Sequence, residues 1–119
     1  MATIFHITSR QEWNRAEAEG VYRSKTFPTE GFIHCSTSEQ VIQVANIRFH
    51  GQKGLVLLVI DSDRVTADIR YENLEGGVQM FPHIYGELNI NAVVRILEFE
   101  PGADGHFNLP SDLKLTRGI

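Results

Sequence analysis

The run Leu55-Val56-Leu57-Leu58-Val59-Ile60 is the feature that most constrains how this chain folds. Successive side chains of a strand point to opposite faces of its sheet, so a strand that is apolar at every position needs cover on both sides. The run is far shorter than the ~20 apolar residues that cross a bilayer. It therefore predicts a buried strand, covered on both faces, that ends at Asp61-Ser62-Asp63.

Length and composition are those of an ordinary small domain. The chain has 119 residues, 42% hydrophobic and 22% charged, with one Cys and a formal net charge of −4. Because domains commonly have about 100–200 residues, we predict one domain over 1–119, with a core at about 3–100 and an irregular tail at 101–119. A single Cys excludes an intrachain disulfide framework. The negative charge disfavours bulk nucleic-acid binding, which needs a cationic surface. We expect a cytoplasmic protein with no membrane segment and no secretory signal.

Periodicity and capping signals predict the other elements. Ser9 and Glu12 have the spacing of a capping box and Gly20 is a natural stop, so we expect a helix over 10–19. Pro82 cannot donate to a sheet ladder, which limits its strand to an edge or its position to a strand start. The expected elements are a strand over 3–8, a helix over 10–19, a strand over 31–36, a helix over 38–49, and strands over 55–60, 67–72, 81–85 and 92–100.

The order of these elements predicts an α+β fold. Both helices precede most of the strands, and the regular alternation of a doubly wound parallel sheet is missing. We therefore expect a compact single domain in which two N-terminal helices pack on a mixed, largely antiparallel sheet. The strand order does not follow from the sequence.

Histidines inside strand-like segments are the strongest chemical signal. A buried imidazole without hydrogen-bond partners costs roughly 1–3 kcal/mol, so a single one is ordinarily a satisfied core residue. Three in separate segments raise the alternative that they converge on one cleft. These are His6, His34 and His83, with the hydroxyl neighbours Thr8, Ser36 and Tyr85.

Three uses of such a cleft stay open. Three imidazoles could hold zinc, but no two of these have a local ligand spacing, and we expect no metal. They could bind the amide, hydroxyl or phosphate groups of a small ligand, or transfer protons near neutral pH. Cys35 points to the opposite strand face from His34 and is expected in the core. His50 and His106 are interpreted as incidental.

Three stretches carry a family resemblance. They are Phe5-His6-Ile7-Thr8, then Glu30-Gly31-Phe32-Ile33-His34-Cys35-Ser36-Thr37 with Gln40, and Phe81-Pro82-His83-Ile84-Tyr85-Gly86. Together they resemble the small, mostly bacterial family called domain of unknown function 952, over about residues 3–100. That resemblance implies a relation to the ADP-ribosyltransferase-like fold, which binds NAD in a cleft between two small sheets.

The resemblance also implies a function and a set of site residues. The function is ADP-ribosyl or related transfer from NAD to a small molecule or nucleotide. The alternatives are a non-catalytic module that binds a nucleotide-like metabolite, or a domain whose histidines are all structural. A carboxylate that would stabilise positive charge on the ribose is not obvious, and the nominees are Glu72 and Glu87. The implied catalytic residues are His34, His83 and Tyr85, and the implied cofactor-binding residues are His6, Thr8 and Ser36.

Overall fold

The structure is a computed structural model that describes residues 2–24, 27–73 and 77–110. Its helices are α1 (Arg10–Glu19), α2 (Phe27–Glu30) and α3 (Val41–Arg48), with 3-10 turns at Ser62–Arg64 and Ile90–Ala92. Its strands are β1 (Thr3–Ser9), β2 (Val21–Tyr22), β3 (Ile33–His34), β4 (Leu55–Asp61), β5 (Asp68–Glu72), β6 (Phe81–Tyr85), β7 (Leu88–Asn89) and β8 (Val93–Phe99). Across these described ranges, no helix combines the length and apolarity that a membrane crossing requires.

The strands form three sheets. The main sheet has the order β1-β4-β8, the second sheet has the order β3-β6-β5, and β2 pairs with β7. Every named strand pair in the described part of the chain is antiparallel. The α+β class and the largely antiparallel pairing are confirmed, but the described strands form three antiparallel sheets where one mixed sheet was expected. The prediction of two N-terminal helices is not confirmed either, because the short α2 lies between α1 and α3.

β4 is the central strand of the main sheet and is buried along its whole length. Val56 and Leu58 belong to a core cluster that contains Trp13 of α1. Leu57 belongs to a second cluster, which contains Val41 of α3. The strand is therefore covered on both faces, as its apolar run predicted.

α1 begins and ends where its capping signals predict. The Ser9 hydroxyl accepts a hydrogen bond from the Glu12 amide at 3.1 Å, a cap that typically contributes about 1 kcal/mol. Gly20 ends the helix with a φ of 86°, a left-handed conformation that glycine adopts without steric cost. Trp13 and Ala16 are its buried positions, so this face of α1 packs on the main sheet.

Backbone contacts join the second sheet to the main sheet. Phe5 and Ser36 exchange two N–H···O bonds, each 2.8 Å long. The helix expected over 38–49 begins at Val41, after a turn over 38–40, and the Gln40 side chain accepts a hydrogen bond from the Thr37 amide at 3.0 Å. Gln40 also donates to the Met80 carbonyl at 2.8 Å, so the residues before α3 hold the chain that enters β6.

β6 lies in the middle of the second sheet, so of the two positions predicted for Pro82, an edge strand or a strand start, the edge strand is excluded. Pro82 is the second residue of the strand, and its carbonyl accepts a hydrogen bond from the Cys35 amide at 3.0 Å. Because proline has no N–H, the Cys35–Pro82 pair lacks the second hydrogen bond, from residue 82 to the Cys35 carbonyl, but keeps the first one.

The predicted irregular tail is irregular over 101–110, and its residues 111–119 lie outside the described residues. This segment still packs on the domain. Phe107 is buried and stacks on Phe99, with ring centroids 4.7 Å apart. Its amide donates to the Asn46 side chain at 2.7 Å, which ties the segment to α3.

We predict that Val56→Ala destabilises the protein by about 1–3 kcal/mol, because each buried carbon group removed costs about 0.5–1.5 kcal/mol. Val94→Ala removes the same atoms from the exposed face of β8 and should change stability by less than about 0.5 kcal/mol. Urea denaturation measures both free energies of unfolding. Equal losses in the two variants would contradict a central, doubly covered β4.

Candidate functional site

A cavity lies between the main sheet, the second sheet and α3. Its volume is about 180 Å³, below the ~300–1,000 Å³ of sites that enclose a whole drug-sized ligand. The cavity therefore suits one end of a larger ligand or a single ring. Its lining includes the polar residues His6, His34, Ser36, Arg48 and His83 and the aromatic residues Phe5, Phe49 and Phe81.

The structure brings most of the predicted site residues to this cavity. His6, His34, Ser36 and His83 are in its lining. Thr8 and Tyr85 are not in that lining, and each contacts a polar group elsewhere. The histidines therefore share a cavity, whereas two of the three hydroxyl neighbours do not.

His6 has hydrogen bonds at both ring nitrogens. Its Nδ1 lies 2.5 Å from the His34 carbonyl oxygen, and its Nε2 lies 2.7 Å from the Tyr22 hydroxyl. A carbonyl only accepts, so Nδ1 carries the proton and Nε2 accepts the hydroxyl proton of Tyr22. Burial lowers the pKa of His6 to about 4, which keeps the ring neutral near pH 7. Both nitrogens thus serve the fold.

Thr8 extends this buried network by one residue. Its hydroxyl oxygen lies 2.9 Å from the Tyr22 hydroxyl oxygen. Tyr22 gives its one proton to His6, so the Thr8 hydroxyl donates the proton of this second bond. Tyr22 was missed from the sequence because it follows α1 in a segment without periodicity. The chain Thr8–Tyr22–His6–His34 links β1, β2 and β3.

His34 and His83 lie side by side on the adjacent strands β3 and β6 of the second sheet. The two residues are paired in the β3–β6 register, and their ring centroids are 5.3 Å apart at an interplanar angle of 69°. The Phe32 ring centroid lies 4.9 Å from each imidazole centroid. His83 is only 2% exposed, whereas the His34 side chain is 37% exposed and has its Nε2 3.1 Å from Glu30 Oε1. The environments of the two rings therefore differ.

Glu72 is the carboxylate next to these histidines. Its Oε1 accepts a hydrogen bond from the Tyr85 hydroxyl at 2.5 Å and lies 3.7 Å from His83 Nδ1. The bond to this carboxylate raises the pKa of the Tyr85 hydroxyl. Glu87, the other nominee, instead accepts a hydrogen bond from Arg23 at 2.5 Å, with both side chains substantially exposed.

The remaining candidates have local explanations. Cys35 is buried in a core cluster, and burial raises the pKa of its thiol. His50 and His106 contact each other, with ring centroids 4.6 Å apart, and His106 Nδ1 is 3.3 Å from Asp104 Oδ2. Within the described residues, no group of three or more His, Cys, Asp or Glu side chains could hold a metal ion.

Fold and site define a small α+β protein with a histidine-lined cavity between two antiparallel sheets. The profile of the protein family of unknown function DUF952 matches residues 7–96, and the chain belongs to this family. The crystal structure of protein CC0527 from Caulobacter crescentus is similar, with 36% identity and a TM-score of 0.84 over 94% of this chain and 98% of that one. The solution structure of CC0527 matches at 37% identity and a TM-score of 0.81 over 97% and 99% of the two chains. No curated protein matches this chain.

We predict that Tyr22→Phe destabilises the protein by about 1–3 kcal/mol, because it leaves buried acceptor and donor groups on His6 and Thr8 unsatisfied. Tyr71→Phe is the matched control, since Tyr71 is 46% exposed. Its expected effect is below about 0.5 kcal/mol. Denaturation in urea gives both values, and losses of the same size would show that the Tyr22 hydroxyl is not needed.

We predict that His6 makes the protein less stable as the pH falls from 7 to 4. The unfolded chain binds a proton at His6 near the ordinary histidine pKa of 6.5, whereas the folded protein binds it only near pH 4. Stability is therefore full above pH 6.5, and the loss contributed by this group reaches about 3 kcal/mol at pH 4. Denaturation series on wild type and His6→Gln should differ by this slope, and parallel pH profiles would contradict it.

Proposed function

We propose that the cavity binds the nicotinamide–ribose end of NAD and that the protein transfers ADP-ribose to a small acceptor. The observation that carries this proposal is the meeting of His34, Ser36 and His83 inside phenylalanine walls. Aromatic walls suit a planar ring, and imidazole and hydroxyl groups suit amide and ribose hydroxyl groups. The relation to the ADP-ribosyltransferase-like fold that the family resemblance implies points to the same ligand.

The size and charge of the cavity fit one end of a dinucleotide. A volume of about 180 Å³ accommodates a ring and its substituent, so the diphosphate lies outside. Arg48, in the last turn of α3, is exposed and also contributes to the lining. A guanidinium binds phosphate oxygens in a bidentate manner and assists such an arrangement.

The proposed reaction breaks the bond between ribose C1′ and the nicotinamide nitrogen. The electron pair of that bond leaves with nicotinamide, and the ribose gains oxocarbenium character. An acceptor oxygen or nitrogen then bonds to C1′ and loses its proton to a base, for which a neutral imidazole such as His83 is suited. Negative charge near the ribose lowers the barrier to breaking this bond. Glu72 supplies such charge indirectly, because its Oε1 lies 3.7 Å from Nδ1 of His83, the ring that lines the cavity.

A second candidate function is binding without reaction. Among the described residues that line the cavity there is no carboxylate, and the Glu72 carboxylate contacts His83 and Tyr85. A cavity without a carboxylate can hold a nucleotide-like metabolite but stabilises an oxocarbenium ion poorly. Under both functions we expect a cytoplasmic protein with a small-molecule partner and no metal.

We predict that NAD binds to the wild-type protein and that His83→Ala and His34→Ala each weaken binding. Loss of a hydrogen bond worth about 1–3 kcal/mol corresponds to about a 5- to 150-fold higher Kd. His106→Ala is the control, because His106 is exposed and does not line the cavity. Isothermal titration calorimetry measures Kd, and a melting curve for each variant checks its fold.

The outcome separates the candidate functions. An absence of wild-type binding at millimolar NAD and ADP-ribose contradicts the NAD proposal. Binding together with nicotinamide release supports transfer, whereas binding without release across a panel of acceptors favours the binding module. Lower melting temperatures for the His34→Ala and His83→Ala variants, with unchanged affinity, would indicate structural histidines.

A further inference from the structure

We propose that Glu72 is the positioning residue of His83: its carboxylate holds the imidazole proton on Nδ1 and fixes the ring that lines the cavity. The role of the ring toward a ligand rests on the proposed function. The contact between the Glu72 and His83 side chains is independent of that function, because both residues belong to the second sheet.

The register of the second sheet brings the two side chains together. Arg70 of β5 lies opposite His83 of β6, and Glu72 lies opposite Phe81, so Glu72 and His83 are diagonal neighbours. Diagonal neighbours on one sheet face are within reach of long side chains. Glu72 Oε1 is 3.7 Å from His83 Nδ1, and the side chains are 28% and 3% exposed. A carboxylate at this place faces a ring that is almost fully enclosed.

Tyr85 fixes the carboxylate. Its hydroxyl donates to the same Oε1 atom of Glu72 at 2.5 Å. The Arg70 guanidinium lies over the Tyr85 ring, 4.7 Å from its centroid, and the Phe32 ring contacts both Tyr85 and His83. Tyr85 therefore acts through Glu72, which gives this predicted site residue a role although it does not line the cavity.

The chemistry of the pair determines the tautomer. An ionised carboxylate only accepts hydrogen bonds, so the favourable neutral form of His83 carries its proton on the facing nitrogen, Nδ1. The lone pair is then on Nε2, the nitrogen that can accept a proton in acid–base work. The distance of 3.7 Å exceeds a hydrogen bond but lies within the range of an ion pair, so the carboxylate favours the Nδ1 proton through its negative charge.

The test is the tautomer of His83 measured by ¹⁵N NMR of the ring nitrogens in the ligand-free protein. We expect wild type to carry the proton mainly on Nδ1. Glu72→Ala should shift the population toward the Nε2-protonated form, and Glu72→Gln, which keeps an acceptor oxygen, should shift it less. Tyr85→Phe keeps the carboxylate but removes its hydrogen bond, and a partial shift is expected. Glu87→Ala is the matched control and should leave the signals unchanged.

An unchanged His83 tautomer in folded Glu72→Ala protein overturns the proposal, as does an equal change in Glu87→Ala. If Glu72→Ala fails to fold, the Tyr85→Phe and Glu72→Gln spectra decide in the same way. NAD titration separates this proposal from the proposed function. A tautomer shift in Glu72→Ala without NAD binding to wild type supports Glu72 as the positioning residue and contradicts the NAD proposal. NAD binding with an unchanged tautomer in Glu72→Ala supports the NAD proposal and contradicts the positioning role of Glu72.

Discussion

The site depends on the pair of backbone hydrogen bonds between Phe5 and Ser36, each 2.8 Å long. Their net contribution to stability is modest, about 0.5–1.5 kcal/mol each, but their effect on geometry is large. They dock the segment after β3 against β1, and the His34 carbonyl then lies 2.5 Å from His6 Nδ1. A cavity between the two sheets requires this junction, because the polar groups of its lining come from both sides of it.

The second sheet offers two unlike faces, and this difference makes a polar site compatible with the core of a small domain. Ile33 and Ile84 are fully buried in the core on one face. On the other face, His34 and His83 contact the Phe32 ring and line the cavity. Because side chains alternate between the two faces of β3 and β6, each imidazole follows or precedes a buried isoleucine. Movement of that isoleucine would disrupt the core, so the position of the imidazole is fixed. Side chains held from such rigid elements keep their geometry when a ligand arrives.

Sequence patterns predicted the features that depend on many consecutive residues. The burial of β4 followed from its apolar run, and α1 followed from Ser9 and Gly20. His6, His34 and His83, the three histidines that we expected to converge, all line the cavity, whereas only Ser36 of their three hydroxyl neighbours does. By contrast, β2 and β7 are two residues long, too short for any periodicity, so the hydrogen bonds of Tyr22 with His6 and Thr8 had no sequence signal. The central position of β6 was missed because the loss of one donor at Pro82 is local, whereas strand order is set by the whole chain.

His6 and His83 both lie within strands, but the groups that contact their imidazole nitrogens differ, and the two rings therefore have different chemistry. His6 is neutral and has both nitrogens bonded within the fold, so it adds neither charge nor a ligand donor to the cavity. His83 instead has a carboxylate 3.7 Å from one nitrogen and the cavity beside its ring. Arg48 is then the permanent positive charge among the described lining residues. In a chain of net charge −4, the described lining thus combines one guanidinium with imidazole rings that have unlike hydrogen-bond partners.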